Sequence, residues 1–188
     1  MFARQVVKSP PKSARRCANK RSPLHMRSSA HGIGNQAVLR QANPAPTQTG
    51  AAAGPMTAQV LTWGDFAAVP NKINGMSANT SWTWHFDGTN FTVAFDPGGS
   101  WSVVADQTPD LLRHEQYHLN LAVLVANKAN AAQAAGTLTG AALVSAFKTT
   151  LAGLESSYDS DTQHGTNARM QTMWENDIDA GVPSFPFP

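Results

Sequence analysis

The sequence predicts an α+β fold, a small antiparallel sheet packed on a helical half and preceded by a disordered basic tail. Three observations carry this. The first 40 residues hold nine Lys or Arg and no acid, whereas all 12 acidic residues come later, so the net charge of +2 averages two unlike segments. Residues 81–104 contain short runs of β-forming residues broken by turn signals. After Gln107 the pattern turns helical, with strong start and stop signals.

Residues 1–41 form the basic tail, rich in Lys, Arg, Ser and Pro with few large apolar groups. Such a segment buries too little surface to offset the entropy of ordering it. Ile33, Val38 and Leu39 offer one side of a helical turn or two, too little to fold alone. Residues 42–58, with Pro44, Pro46, Pro55, Gly50 and Gly54, are a linker. The globular body is then 59–188, long enough to bury about two-thirds of its unfolded surface.

Within the body, 81–86, 90–95 and 101–104 are predicted strands. Asp87-Gly88 between the first two is a hairpin signal, and Phe91, Val93 and Phe95 alternate with smaller residues as a half-buried strand requires. Thr108-Pro109-Asp110 supplies an N-cap, a first-position proline and a first-turn acid, opening a helix over 109–133. Gly136 and Gly140 break it. A second helix over 141–163 stops at His164-Gly165, and a third spans 167–178. Trp63, Trp82, Trp84, Trp101 and Trp174 are expected in core contacts.

Composition excludes several classes. The single cysteine, Cys17, permits neither an internal disulfide nor a Cys-rich zinc module. Apolar runs such as 122–126 fall far short of the roughly 18 residues a membrane span needs. Pro10, Pro11, Lys12 and Arg15-Arg16 interrupt any secretory h-region, although a Ser/Arg-rich, acid-free start also fits an organellar transit peptide. The tail's charge suits an anionic surface, but with Phe2 as its only aromatic residue it lacks base-stacking groups, so no specific nucleic acid is expected as partner.

The first predicted helix carries His114-Glu115-Gln116-Tyr117-His118. Side chains four apart share a helix face, so both imidazoles can reach one metal ion. Glu115 lies beside that face, placed to hold and deprotonate a metal-bound water. Zinc accepts neutral imidazole and keeps a coordination position open for water, and this spacing is the HExxH signature of zinc metallopeptidases. The alternative is a solvated helix face that happens to carry two histidines. A catalytic zinc needs a third protein ligand. If the second helix returns antiparallel, its end brings His164 and Asp159 beside the motif, with Asp161 as a further candidate. Either His164 or Asp159 ligates, and the other orients a ligand. His164 also suits a plain surface histidine favoured by a helix C-terminus. Tyr158 is a candidate donor to a tetrahedral oxyanion, and Tyr117 is expected to pack. His85 in a strand, and His25 and His31 in the tail, are not expected at the site.

Residues 61–66 (Leu-Thr-Trp-Gly-Asp-Phe), 99–101 (Gly-Ser-Trp), 111–118 (Leu-Leu-Arg-His-Glu-Gln-Tyr-His) and 158–165 (Tyr-Asp-Ser-Asp-Thr-Gln-His-Gly), with Gln171 and Trp174 beyond, resemble the DUF922 family of bacterial zinc-dependent proteases. The resemblance covers most of 59–188 and implies a zincin-like active-site helix and a peptide or protein substrate. Tyr117 and Leu119-Asn120 depart from the small residue and Phe-Asp that flank the second histidine in that family. Residues 31–41 are similar to a Gly-Asn-Gln-Ala-Val-Leu-Arg stretch near the start of proteins associated with bacterial extracellular contractile injection systems. That likeness implies a cargo or effector, cytoplasmic in the producing bacterium before export. Its tail would address it to the tube lumen or to loading factors. The alternative is a non-catalytic, zinc-containing assembly component of such a particle.

Overall fold

The computed structural model describes residues 40–41 and 54–185 of the 188. The expected disorder over 1–39, most of the helical turn at 31–41 and the linker at 42–53 lie outside the described residues. Among the described residues there are six strands: β1 (Arg40–Gln41), β2 (Ala67–Val69), β3 (Ala78–Asn79), β4 (Trp82–Phe86), β5 (Phe91–Phe95) and β6 (Trp101–Val103). The described residues then form three α-helices: α1 (Pro109–Ala134), α2 (Gly140–Thr162) and α3 (Ala168–Asp179).

The expected hairpin is present, β4 pairing antiparallel with β5 from Trp82↔Phe95 to Phe86↔Phe91. Asp87 closes its turn by accepting from the amides of Thr89 and Asn90 at 2.8 Å each. Both amides stabilise the ionised carboxylate and hold Asp87 below the usual range. The third predicted strand does not extend that sheet. β6 leaves it and forms a second sheet, parallel to β2 and antiparallel to β3, in the order β2-β6-β3. The small antiparallel sheet is thus two three-stranded mixed sheets. The turn after Phe95 redirects the chain, because Asp96 accepts backbone bonds from Gly99 and Ser100. Arg40 and Gln41, expected in a disordered tail, run parallel to Thr83 and Trp84 as β1. An open strand edge offers unpaired backbone groups to any extended segment that reaches it.

The hairpin packs on α1 and α2. Phe147 of α2 stacks on Phe91 at 4.3 Å between ring centroids and meets Trp84 edge-on at 5.5 Å. Leu119, Leu121, Ala122, Val125, Ala126 and Ala129 line the buried face of α1. Of the tryptophans, Trp82 and Trp84 are in this core, and Trp63 and Trp174 pack against it. Phe147→Ala is expected to cost about 3–5 kcal/mol, read as a lower urea midpoint, because it empties a site between two aromatic rings. Side-chain amides of α1 clamp flanking backbone. Asn130 bonds both the N–H and C=O of Phe91, and Asn127 does the same for Met56. Gln116 holds Leu61 N–H and Gln59 C=O. The body is therefore anchored from Met56, inside the segment read as linker, since the clamp satisfies backbone that would otherwise need water.

Candidate metal centre

The start of α1 follows the expected chemistry. Thr108 accepts from Leu111 N–H at 3.1 Å, Pro109 takes the first turn and Asp110 follows. The helix then presents His114 and His118 to its neighbours, each 1% exposed. Burial that complete excludes the solvated-face alternative. α2 returns beside α1 and delivers Asp159 from its last turns. Asp159 Oδ1 lies 3.2 Å from His114 Nε2 and 3.1 Å from His118 Nε2, and the two Nε2 atoms are 3.2 Å apart.

The turn after α2 brings His164 to the same place. Gln163, His164 and Gly165 all have positive φ, at 51°, 53° and 81°. The His164 N–H bonds Asp159 C=O at 3.0 Å, a cap that ties the backbone of one candidate ligand to the other. His164 Nδ1 then stands 3.4 Å from Asp159 Oδ1 with its side chain 52% exposed. Two non-glycine residues in left-handed backbone are a local strain that the cap and its neighbours must hold. Gly165 permits the approach: a Cβ there would sit 2.9 Å from His114 Cβ. Gly165→Ala is expected to cost at least about 1–2 kcal/mol from backbone strain alone and to weaken metal uptake. Thermal unfolding with and without zinc measures both effects.

Both ring Nδ1 atoms are occupied. His118 Nδ1 meets Glu155 Oε2 in a short contact, and His114 Nδ1 meets Gln171 Oε1 at 3.1 Å. With Nδ1 donating, both Nε2 lone pairs and a carboxylate oxygen converge on one point, where only a proton or a cation relieves their repulsion. Zinc bonds of about 2.0–2.1 Å in a tetrahedron separate ligand atoms by about 3.3–3.4 Å, close to the spacings here. Imidazole nitrogen and carboxylate oxygen are donors zinc takes, and a carboxylate behind the imidazole is a common support. The spacing of His114, His118 and Asp159 is therefore compatible with such an ion, and His114, Asp159 and His164 likewise offer donor atoms within 4.8 Å of one another.

Electrostatics agree with this convergence. Burial would depress His118, but Glu155 and Asp159 outweigh it and hold the imidazole well above its ordinary value. Burial pushes Glu155 up to about 7 against the pull of His118. Asp159 is also buried, yet the charge of His118 and hydrogen bonds with His118 and His164 keep it far below the usual carboxylate range. His164 is raised by its hydrogen bond with Asp159. The two carboxylates thus favour a proton on metal-free His118, which a bound metal would have to displace. Zinc affinity is expected to rise with pH through neutrality, about tenfold per pH unit where one proton is displaced. A flat profile in competition titrations would contradict this.

Glu115 sits outside the converging donors. It is 2% exposed and accepts from Thr80 Oγ1 at 2.8 Å through Oε2. A cleft of about 700 Å³ reaches it, with Ser77, Ala78, His114 and His164 also in its lining. Tyr158 occupies a different place from that of an oxyanion donor. Its ring stacks on His114 at 4.8 Å, and its hydroxyl donates to His114 C=O at 3.2 Å while accepting from Gln171 Nε2. Full burial and these two bonds commit the hydroxyl inside the protein, and burial raises it far above its ordinary value. Asp161 turns away to accept from Trp174 Nε1 at 3.1 Å. Tyr117 bonds Asp179, and His85 lies on β4 opposite Thr92.

Sequence reasoning assigned no role to Glu155, Gln171 or Thr80. Glu155 had a usable signal, an acid four residues before Asp159 on the apolar face of α2, matching the His114–His118 spacing on α1. Thr80 and Gln171 reach the site only through tertiary packing. No family model, curated protein or solved structure matches the chain.

Proposed function

We propose that the protein is a zinc-dependent metallopeptidase that hydrolyses peptide bonds, with His114, His118 and Asp159 as metal ligands and Glu115 as general base. One observation carries it: three donor atoms converge within 3.1–3.2 Å, with Glu115 beside them on an open cleft. Bound zinc supplies a Lewis acid and lowers the pKa of water at neutral pH. The chain's own residues do the rest. Thr80 fixes one Glu115 oxygen, so the carboxylate is held in place to take a proton and later return it to the leaving amine. β3 is an edge of its sheet, and Ala78 borders the cleft, so backbone groups are available to an extended peptide there. His164, at the rim, orients Asp159 or adds a fourth donor.

The resemblance to DUF922 proteases supports this reading. The likeness of residues 31–41 to injection-system proteins supports a cargo or effector addressed by its basic tail. Among the described residues no helix is long and apolar enough to cross a membrane. A second reading draws on His164: with four protein donors the zinc site closes, as structural sites do, and the protein becomes a non-catalytic particle component. Full-length protein assayed for zinc content, for zinc ligand number by X-ray absorption and for cleavage of a peptide library separates them. One zinc with an open position and chelator-reversible cleavage is expected. A four-ligand site without cleavage favours the second reading, and absence of stoichiometric zinc overturns both.

A further inference from the structure

We propose that Glu175, held by Arg113, is a positioning residue for the metal centre: it dictates which way the Gln171 amide sits, and so which His114 nitrogen carries the proton. The consequence for metal affinity rests on the zinc reading above.

Arg113 precedes His114 on α1, and its Nε donates to Glu175 Oε1 at 2.9 Å. That ion pair keeps Glu175 an acceptor on the inner side of α3. Gln171, one helical turn earlier on α3, donates from Nε2 to the same Glu175 oxygen at 2.9 Å and also to the Tyr158 hydroxyl. Tyr158 spends its own proton on His114 C=O, so it too can only accept from Gln171. Both partners on this side of the amide require its NH₂ group. A flipped amide would set a carbonyl against a carboxylate and a phenolic oxygen, losing two hydrogen bonds.

The Gln171 carbonyl oxygen is therefore the group left facing His114 Nδ1, at 3.1 Å. An acceptor there makes Nδ1 the protonated nitrogen and leaves the Nε2 lone pair aimed at the point shared with His118 and Asp159. The two ligand histidines differ in this respect. His118 has a carboxylate directly behind it, which accepts without needing orientation, whereas His114 has an amide that can face either way. Glu175 removes that ambiguity from two hydrogen bonds away, and the route leaves α1 at Arg113 and re-enters it at His114.

The test measures zinc affinity of full-length protein by chelator competition, together with ¹⁵N shifts of the His114 ring in the metal-free state. Wild type is expected to show protonated Nδ1. Glu175→Leu removes the acceptor shared by Arg113 and Gln171 and so frees the Gln171 amide to flip, and zinc affinity is expected to fall about tenfold with a mixed His114 tautomer. The double exchange Gln171→Glu with Glu175→Gln swaps donor and acceptor along α3 and still puts an acceptor behind Nδ1, with the Tyr158 hydroxyl turning from His114 C=O to donate to the new carboxylate. It is expected to bring affinity back to within about threefold of wild type, a rescue that a packing role does not give. Wild-type affinity in E175L, or no rescue in the double variant at equal metal-free melting temperature, overturns the proposal. An unprotonated Nδ1 in wild type overturns it even if the variants fail to fold. A wild type that takes up no zinc refutes the zinc reading instead, while its ¹⁵N shifts still decide the tautomer.

Discussion

Glu115→Gln is expected to slow peptide cleavage by about two to four orders of magnitude while zinc content and fold stay at wild-type levels. Gln has the size of Glu, so the Thr80 hydroxyl keeps an oxygen to donate to, in place of the 2.8 Å bond to Glu115 Oε2. Thr80 also donates to the Glu115 backbone oxygen, a contact the substitution leaves alone. The side chain is not one of the donors that converge around Asp159 Oδ1, so metal retention does not depend on its charge. What is lost is the only proton acceptor that α1 presents between the two histidines. Turnover on a cleavable peptide, zinc content by atomic emission and far-ultraviolet circular dichroism check the three parts together. An unchanged rate would move the base away from Glu115. Loss of zinc would make Glu115 part of the metal's support.

Local signals in the sequence were sufficient for the helical half. The cap at Thr108 and Pro109, the break at Gly136 and the stop before Gly165 place α1, α2 and α3 within one residue of their expected ends. These features act over one helical turn, so the sequence displays them directly. The HExxH spacing likewise marks two ligands because a helix alone puts them on one face. Choosing Asp159 or His164 needed the left-handed turn at Gln163 and His164, which brings both to the site instead of selecting one. The sheets were legible only as strands. Whether β6 continues the hairpin or leaves it depends on the turn at Asp96 and on β2 and β3, two or three residues each, too short to show a period. Thr80, Glu155 and Gln171 gain their roles from partners 35, 37 and 57 residues away, distances over which sequence pattern carries no direction.

Asp159→Ala is expected to weaken zinc binding by about two to three orders of magnitude, and His164→Ala by only about tenfold. Structural zinc sites bind with about 10–16 kcal/mol over four ligands, about 3 kcal/mol for each, which sets the larger figure. Asp159 Oδ1 is the hub: it contacts both Nε2 atoms at 3.1–3.2 Å and His164 Nδ1 at 3.4 Å. His164 approaches only Asp159 this closely, from a half-exposed position on the rim. Removing Asp159 also leaves the raised imidazole of His118 with Glu155 alone. Because the Asp159 carboxyl is held far below its ordinary range, its stabilising contribution is complete at neutral pH and declines only as pH falls below ordinary carboxylate values. Metal-free D159A is therefore expected to melt below wild type at pH 7, with the gap closing in acid. Competition titration of the two variants ranks the ligands. If H164A loses more zinc than D159A, the third ligand is His164 and Asp159 serves to orient it.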